Sequence, residues 1–131
     1  MKDRIRNIFI RETSSDLALI QEELLNNAKD FMPYKLVEMI FHTMHTIKGS
    51  GPMFGFNHLS DMALPVEKVY KELYDGEGLT SRQLVEKTSD VVNLFQKAIS
   101  DCDAHVPNTI EERALMEYFN NVCLFNAGSD D

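Results

Sequence analysis

The residues best suited to chemistry lie in His45-Thr46-Ile47-Lys48-Gly49-Ser50-Gly51-Pro52-Met53-Phe54-Gly55, which reads H-x-x-K-G-x-G-x-x-x-G. An exposed imidazole can act as a nucleophile, because its neutral form carries a free lone pair near physiological pH. Lys48 follows His45 by one helical turn and would set a cation beside any anion the ring acquires. Gly49 removes the side chain that would keep a second protein from the ring, and Gly51 extends that clearance. Glycine inside a helix costs roughly 0.5–1 kcal/mol. Three in one stretch imply that close approach or tight packing compensates.

The element that must present these residues is a helix. Plotted at 100° per residue, Leu36, Val37, Ile40, Met44, Ile47 and Phe54 gather on one side, the face such a helix buries. Glu38, His42, His45, Lys48 and Gly49 fall on the other. His45 therefore points away from the core, with His42 at the rim of the same face. Phe41 and Met53 border it, whereas Phe54 turns inward. Pro52 lacks an N–H and would clash near the Lys48 carbonyl, so a kink is expected there, with helical spacing continuing to Phe54.

A carboxylate from another helix would complete the arrangement. Glu67 lies about 80° from Leu59 on the wheel of the next helix, at the border of its buried stripe. From there it could accept the His45 Nδ1–H, fix the tautomer and leave Nε2 free. A solvated glutamate flanking the core is the plainer reading. Pro65 interrupts that helix two residues earlier and could displace Glu67.

At these residues the sequence resembles the phosphorylation-site helix of histidine phosphotransfer (HPt) domains. His45-x-x-Lys48-Gly49-Ser50-Gly51 followed by Phe54-Gly55-Phe56 is similar to the N-terminal phosphotransfer domain of CheA-type chemotaxis histidine kinases, whose motif also ends in Phe-Gly-Phe. The likeness runs from the first helix to about Asp103, and the motif is its specific part. It implies a phosphoryl carrier in a two-component phosphorelay, a substrate and not an enzyme in itself. His45 would be the phosphoacceptor, Lys48 would balance phosphate charge, and Glu67 would orient the ring, since it stands 22 residues after the histidine, where such domains place a glutamate. Leu64 occupies the place where these kinases often carry a second histidine. His42, Phe41, Gly49 and Gly51 would border partner docking. The implied partners are a histidine kinase's ATP-binding domain or an upstream receiver as donor, and a response-regulator receiver as acceptor. Mg²⁺ would come with the partner, and no cofactor is expected on this chain. The alternative is a helical adaptor that docks a receiver or kinase domain without being phosphorylated.

Composition narrows the remaining classes. A net charge of −8 over 131 residues disfavours nucleic acid, which needs a basic patch, and disfavours an anionic membrane surface. Cys102 and Cys123 form no C-x-x-C and suit a reducing cytoplasmic compartment as free thiols. No segment approaches the roughly 18 apolar residues of a membrane span. Two histidines at i, i+3, even with His58, are weak grounds for metal, and none is expected. No glycine-rich phosphate loop follows a strand, which argues against ATP binding. The starting Met and acidic tail fit a free-standing phosphotransfer protein and an N-terminal kinase domain equally.

In chain order, five amphipathic helices are expected. The first spans residues 3–28, with Ile5, Ile8, Phe9, Leu19, Ile20 and Leu24 as its apolar set, and Thr13 to Asp16 could hide a break. The motif helix starts near Tyr34, with Pro33 suited to its first turn. Asn57 should cap the third, whose stripe is Leu59, Met62, Ala63, Val66, Val69, Tyr70 and Leu73, and Asp75 to Gly78 closes it. Thr80-Ser81-Arg82-Gln83 reads as a capping box opening the fourth, with Leu84, Thr88, Val91, Phe95, Ala98 and Cys102 inward. Asn108 to Glu111 caps a shorter fifth, ending near Phe125. Short connections imply an all-α, antiparallel up-and-down four-helix bundle with an additional C-terminal helix. The domain would cover residues 1–125, and residues 126–131 would be a loose tail or the start of a linker.

Overall fold

A computed structural model of the chain describes residues 2–27, 31–100 and 109–122. Its elements in order are α1 (Lys2–Asn27), α2 (Tyr34–Ser50), a 3₁₀ turn (Gly51–Phe54), α3 (Asn57–Tyr74), α4 (Arg82–Ser100) and α5 (Ile110–Asn121). No strand occurs among the described residues. The expected Cys102 stripe position, the turn at Val106-Pro107, the fifth-helix end at Phe125 and the tail lie outside the described residues.

Contacts between helices fix the directions. The start of α1 meets the 3₁₀ turn that follows α2 through Arg6 Nε, which donates to the Phe54 carbonyl at 3.1 Å. Farther along α1, Gln21 Nε2 donates to Asn93 Oδ1 on α4 at 2.7 Å, and Ser89 Oγ donates to Gln21 Oε1 at 2.9 Å. The start of α2 and the end of α3 meet where the Tyr34 and Tyr74 rings stack, 5.8 Å apart. Between α3 and α4, the Tyr70 hydroxyl meets Thr88 Oγ1 at 2.5 Å. Thr88 gives its own proton to the Leu84 carbonyl at 2.7 Å, so Tyr70 is the donor. Consecutive helices thus run antiparallel, α4 returns to α1, and α5 lies against α3 and α4. The fold is the expected all-α, up-and-down four-helix bundle with an additional C-terminal helix.

The stripes of α2, α3 and α4 are buried as read, including every residue expected on the α3 stripe. Helix α1 differs. It runs unbroken through Thr13 to Asp16, and its inward set is Phe9, Thr13, Leu17, Ile20 and Leu24. That series keeps 3- and 4-residue spacing and leaves Leu19 outside it, while Ile5, one turn before Phe9, is exposed near the start of the helix. Thr13, in the stretch whose low propensity could hide a break, takes a core place instead.

Helix ends also differ in detail. Pro33 stands just before α2, and its carbonyl accepts from the Leu36 and Val37 N–H groups. Asn57 opens α3 as its first residue; the cap position falls on Phe56, without a side-chain bond. At α4 the cap is Ser81, whose Oγ accepts from the Leu84 N–H at 3.1 Å, one residue later than the expected box. Thr109 caps α5, accepting from the Glu112 N–H at 3.1 Å.

Candidate functional site

Helix α2 carries His45 and Lys48 outward because Ile40, Met44 and Ile47 fill the bundle interior. At its end the chain does not kink as a continued α-helix. It tightens into the 3₁₀ turn, with Gly51 still right-handed helical at φ −53°, ψ −47°. Pro52 explains the change, since it supplies no N–H to an i−4 carbonyl. Gly55 closes the turn at φ 91°, a left-handed conformation that favours glycine. Phe54 is buried against Phe9, with ring centroids 5.1 Å apart.

Glu67 reaches this face from α3. Pro65 does not displace it: α3 runs on to Tyr74, and Pro65 is itself buried within the helix. One Glu67 oxygen, Oε2, lies 2.6 Å from His45 Nδ1, and the other, Oε1, lies 2.7 Å from Lys48 Nζ. The Glu67 side chain is only 10% exposed, against 62% for His45 and 35% for Lys48. Burial acts to raise the Glu67 pKa. Hydrogen bonds from Lys48 and His45, with their charges, outweigh it, and the carboxyl sits below its ordinary value. An ionised carboxylate only accepts, so the His45 proton resides on Nδ1 and the Nε2 lone pair faces away from Glu67.

The remaining expected residues divide. Exposed His42 and half-buried Phe41 stand beside His45, and the Phe41 ring lies 6.2 Å from the His45 ring. Phe41 stacks on Tyr74 at 5.0 Å, with His42 edge-on to Tyr74 at 5.7 Å, so part of its surface is used within the chain. Gly49 is exposed, and a Cβ there would meet nothing within 4 Å. Gly51 is a correction. It is buried, and its missing Cβ makes room for the chain itself, since a Cβ would lie 3.2 Å from the Phe56 carbonyl oxygen. It is unavailable to a partner.

Tyr74 and Ser60 were not expected at this site. Tyr74 closes α3 and could be found only from its stacking partners. Ser60 Oγ donates to the Lys48 carbonyl at 2.7 Å, and the one hint in the sequence was the donor that Pro52 removes. His58, weighed as a third metal ligand beside His42 and His45, instead turns to α5, where its Nε2 lies 3.2 Å from Glu112 Oε1. Among the described residues no group of three or more His, Cys, Asp or Glu could hold a metal ion. No described helix is long and apolar enough to cross a membrane.

Comparison with known proteins agrees with this geometry. The chain is similar to the chemotaxis protein CheA of Listeria monocytogenes, 28% identical over 101 residues, covering 77% of this chain and 16% of that protein. Its likeness to the chemotaxis protein CheA of Bacillus subtilis is 28% over 105 residues, 80% of this chain and 15% of that protein. For the chemotaxis protein CheA of Halobacterium salinarum the figures are 27% over 116 residues, 83% and 17%. The chain thus spans about a sixth of the length of the curated relatives it matches. Residues 4–108 match the Hpt domain, a segment that takes in α1 to α4 with the His45 motif and stops before α5. The chain belongs to the Hpt domain family, the histidine phosphotransfer modules of two-component signalling.

Proposed function

We propose that His45 Nε2 accepts a phosphoryl group and passes it to the aspartate of a response-regulator receiver domain. The observation that carries this reading is the Nδ1 contact with Glu67, which leaves Nε2 as the nucleophilic nitrogen on a mostly exposed ring. In the loading step the Nε2 lone pair forms a P–N bond as the donor's P–O bond breaks, and the Nδ1 proton stays hydrogen-bonded to Glu67. In the unloading step the P–N bond breaks as the receiver's carboxylate oxygen takes the phosphoryl group, and the lone pair returns to Nε2. Such transfer passes through a loose in-line transition state, so catalysis is chiefly positioning and charge stabilisation. Lys48 supplies positive charge beside the incoming phosphoryl, and Glu67 orients the ring and balances the charge it gains.

The donor in this reading is a histidine kinase's ATP-binding domain or an upstream receiver, and Mg²⁺ arrives with the partner. Gly49, His42 and the exposed edge of Phe41 lie where the partner approaches. The compartment is cytoplasmic. Treatment of the protein with phosphoramidate, followed by intact mass and peptide mapping, tests the reading. An acid-labile, alkali-stable adduct on His45 that a receiver then discharges is the expected result. No adduct on the folded wild-type protein, or an unchanged adduct on His45→Gln, would overturn it and favour the non-phosphorylated adaptor.

A further inference from the structure

Pro52 stands four residues after Lys48 and has no N–H, so the Lys48 carbonyl loses the donor that a continuing helix would supply. Ser60 Oγ donates to that carbonyl at 2.7 Å from the first turns of α3, and Ser60 is itself buried. Helix α3 therefore holds Lys48 at both ends: Ser60 takes its carbonyl and Glu67 its ammonium. Ser60 and Glu67 are seven residues apart, two turns along one face of one helix, about 10 Å. A rigid rod pinned at Ser60 has its axial register set at Glu67.

The local chain is shaped to permit this. The Phe56 N–H bonds to the Gly51 carbonyl at 2.9 Å, and the Ser60 N–H bonds to the Phe56 carbonyl at 3.0 Å. A Cβ on Gly51 would lie 3.7 Å from the Ser60 Cβ and closer still to the Phe56 carbonyl. The glycine thus lets the start of α3 come within reach of the end of α2.

We propose that Ser60 is a positioning residue for the phosphoacceptor site: its hydroxyl replaces the N–H missing at Pro52 and sets the register of α3 on α2 that brings Glu67 to both His45 and Lys48. The role in phosphoryl uptake rests on the function proposed above; the effect on the His45–Glu67 bond does not.

The test is a double-mutant cycle of wild type, Ser60→Ala, Pro52→Ala and the double variant, since an alanine at 52 restores an N–H that can reach the Lys48 carbonyl. Two quantities are read: the phosphoramidate labelling rate at His45, and the imidazole ¹H–¹⁵N spectrum of the unphosphorylated protein, which reports the Nδ1–H held by Glu67. Ser60→Ala is expected to slow labelling about tenfold and to weaken the Nδ1–H signature. The double variant should regain stability but keep the slowed labelling and the weakened signature, because the restored N–H at position 52 satisfies the carbonyl from its own segment and leaves α3 untied. Ser60→Ala matching wild type in both readouts would overturn the proposal, as would a loss that the double variant recovers, since the carbonyl would then need only a donor and not a tie to α3. If the wild type itself takes no label, the carrier reading fails and the imidazole spectra alone decide the register claim. If Ser60→Ala fails to fold by circular dichroism, a folded double variant with a weakened imidazole signature supports the proposal, and a wild-type signature or an unfolded double variant overturns it.

Discussion

His45 and His58 each meet a buried glutamate from another helix, but through opposite nitrogens. His45 uses Nδ1, the nitrogen nearer its backbone, at 2.6 Å from Glu67, and keeps 62% of its side chain exposed. His58 uses Nε2, the outer nitrogen, at 3.2 Å from Glu112, and is 30% exposed. The first pair directs the free lone pair outward, while the second spends the outer nitrogen on joining α3 to α5. Glu67 also takes Lys48, so a cation is set beside the reactive ring. An imidazole–carboxylate pair is therefore not in itself a reactive site; the nitrogen engaged and the exposure of the other one decide.

Removing each imidazole should separate the pairs most sharply. His45→Gln should abolish phosphoryl labelling by intact mass with the helical spectrum unchanged. His58→Gln should keep wild-type labelling and instead speed amide hydrogen exchange in α5. Loss of labelling in His58→Gln would break the contrast.

The carboxylates should differ in kind as well. Glu67→Gln is expected to slow labelling about 10–100-fold while the adduct stays on His45. Glu112→Ala should leave that rate unchanged and lower stability in urea by about 1–3 kcal/mol, because a buried tie between helices is lost.

The bundle itself was legible because the α2, α3 and α4 stripes keep helical spacing with few interruptions. Helix α1 was harder: Ile5 and Leu19 are apolar but exposed, whereas Thr13 and Leu17 complete the inward series, and residue type alone favoured the wrong members. The His45–Glu67 pairing was reachable from the wheel and from the family likeness. The His58–Glu112 pair and the Ser60 bond were not, since each joins residues whose proximity depends on how helices dock. Gly51 misled for the same reason. A glycine that clears space for a partner and one that clears space for its own chain look alike in sequence.

That distinction yields a smaller effect. Gly51→Ala should destabilise the fold, since the Phe56 carbonyl oxygen would lie 3.2 Å from the new Cβ. Gly49→Ala should not, and helix propensity could add up to about 0.5–1 kcal/mol. It should nonetheless slow discharge to a receiver if the partner passes close to that position. Thermal melts alongside receiver-transfer rates give both numbers.

The smallest effect is on the acid side. The folded-state Glu67 pKa is lowered, so in that interval the unfolded chain binds more protons and stability rises with pH. The contribution is present above the ordinary carboxylate range and is lost as pH falls through the folded value. Lys48→Ala leaves burial less opposed and brings the folded value up toward the unfolded one, so the acid-side loss should be smaller and complete at higher pH in acid titrations followed by circular dichroism.

The most direct test of the central claim is the nitrogen that carries phosphorus. In ¹⁵N-labelled protein loaded with phosphoramidate, long-range ¹H–¹⁵N and ³¹P spectra should place phosphate on His45 Nε2 with a proton retained on Nδ1. Phosphate on His45 Nδ1, or on His42 or His58, would contradict the account, because the Glu67 contact would then not be what directs the chemistry.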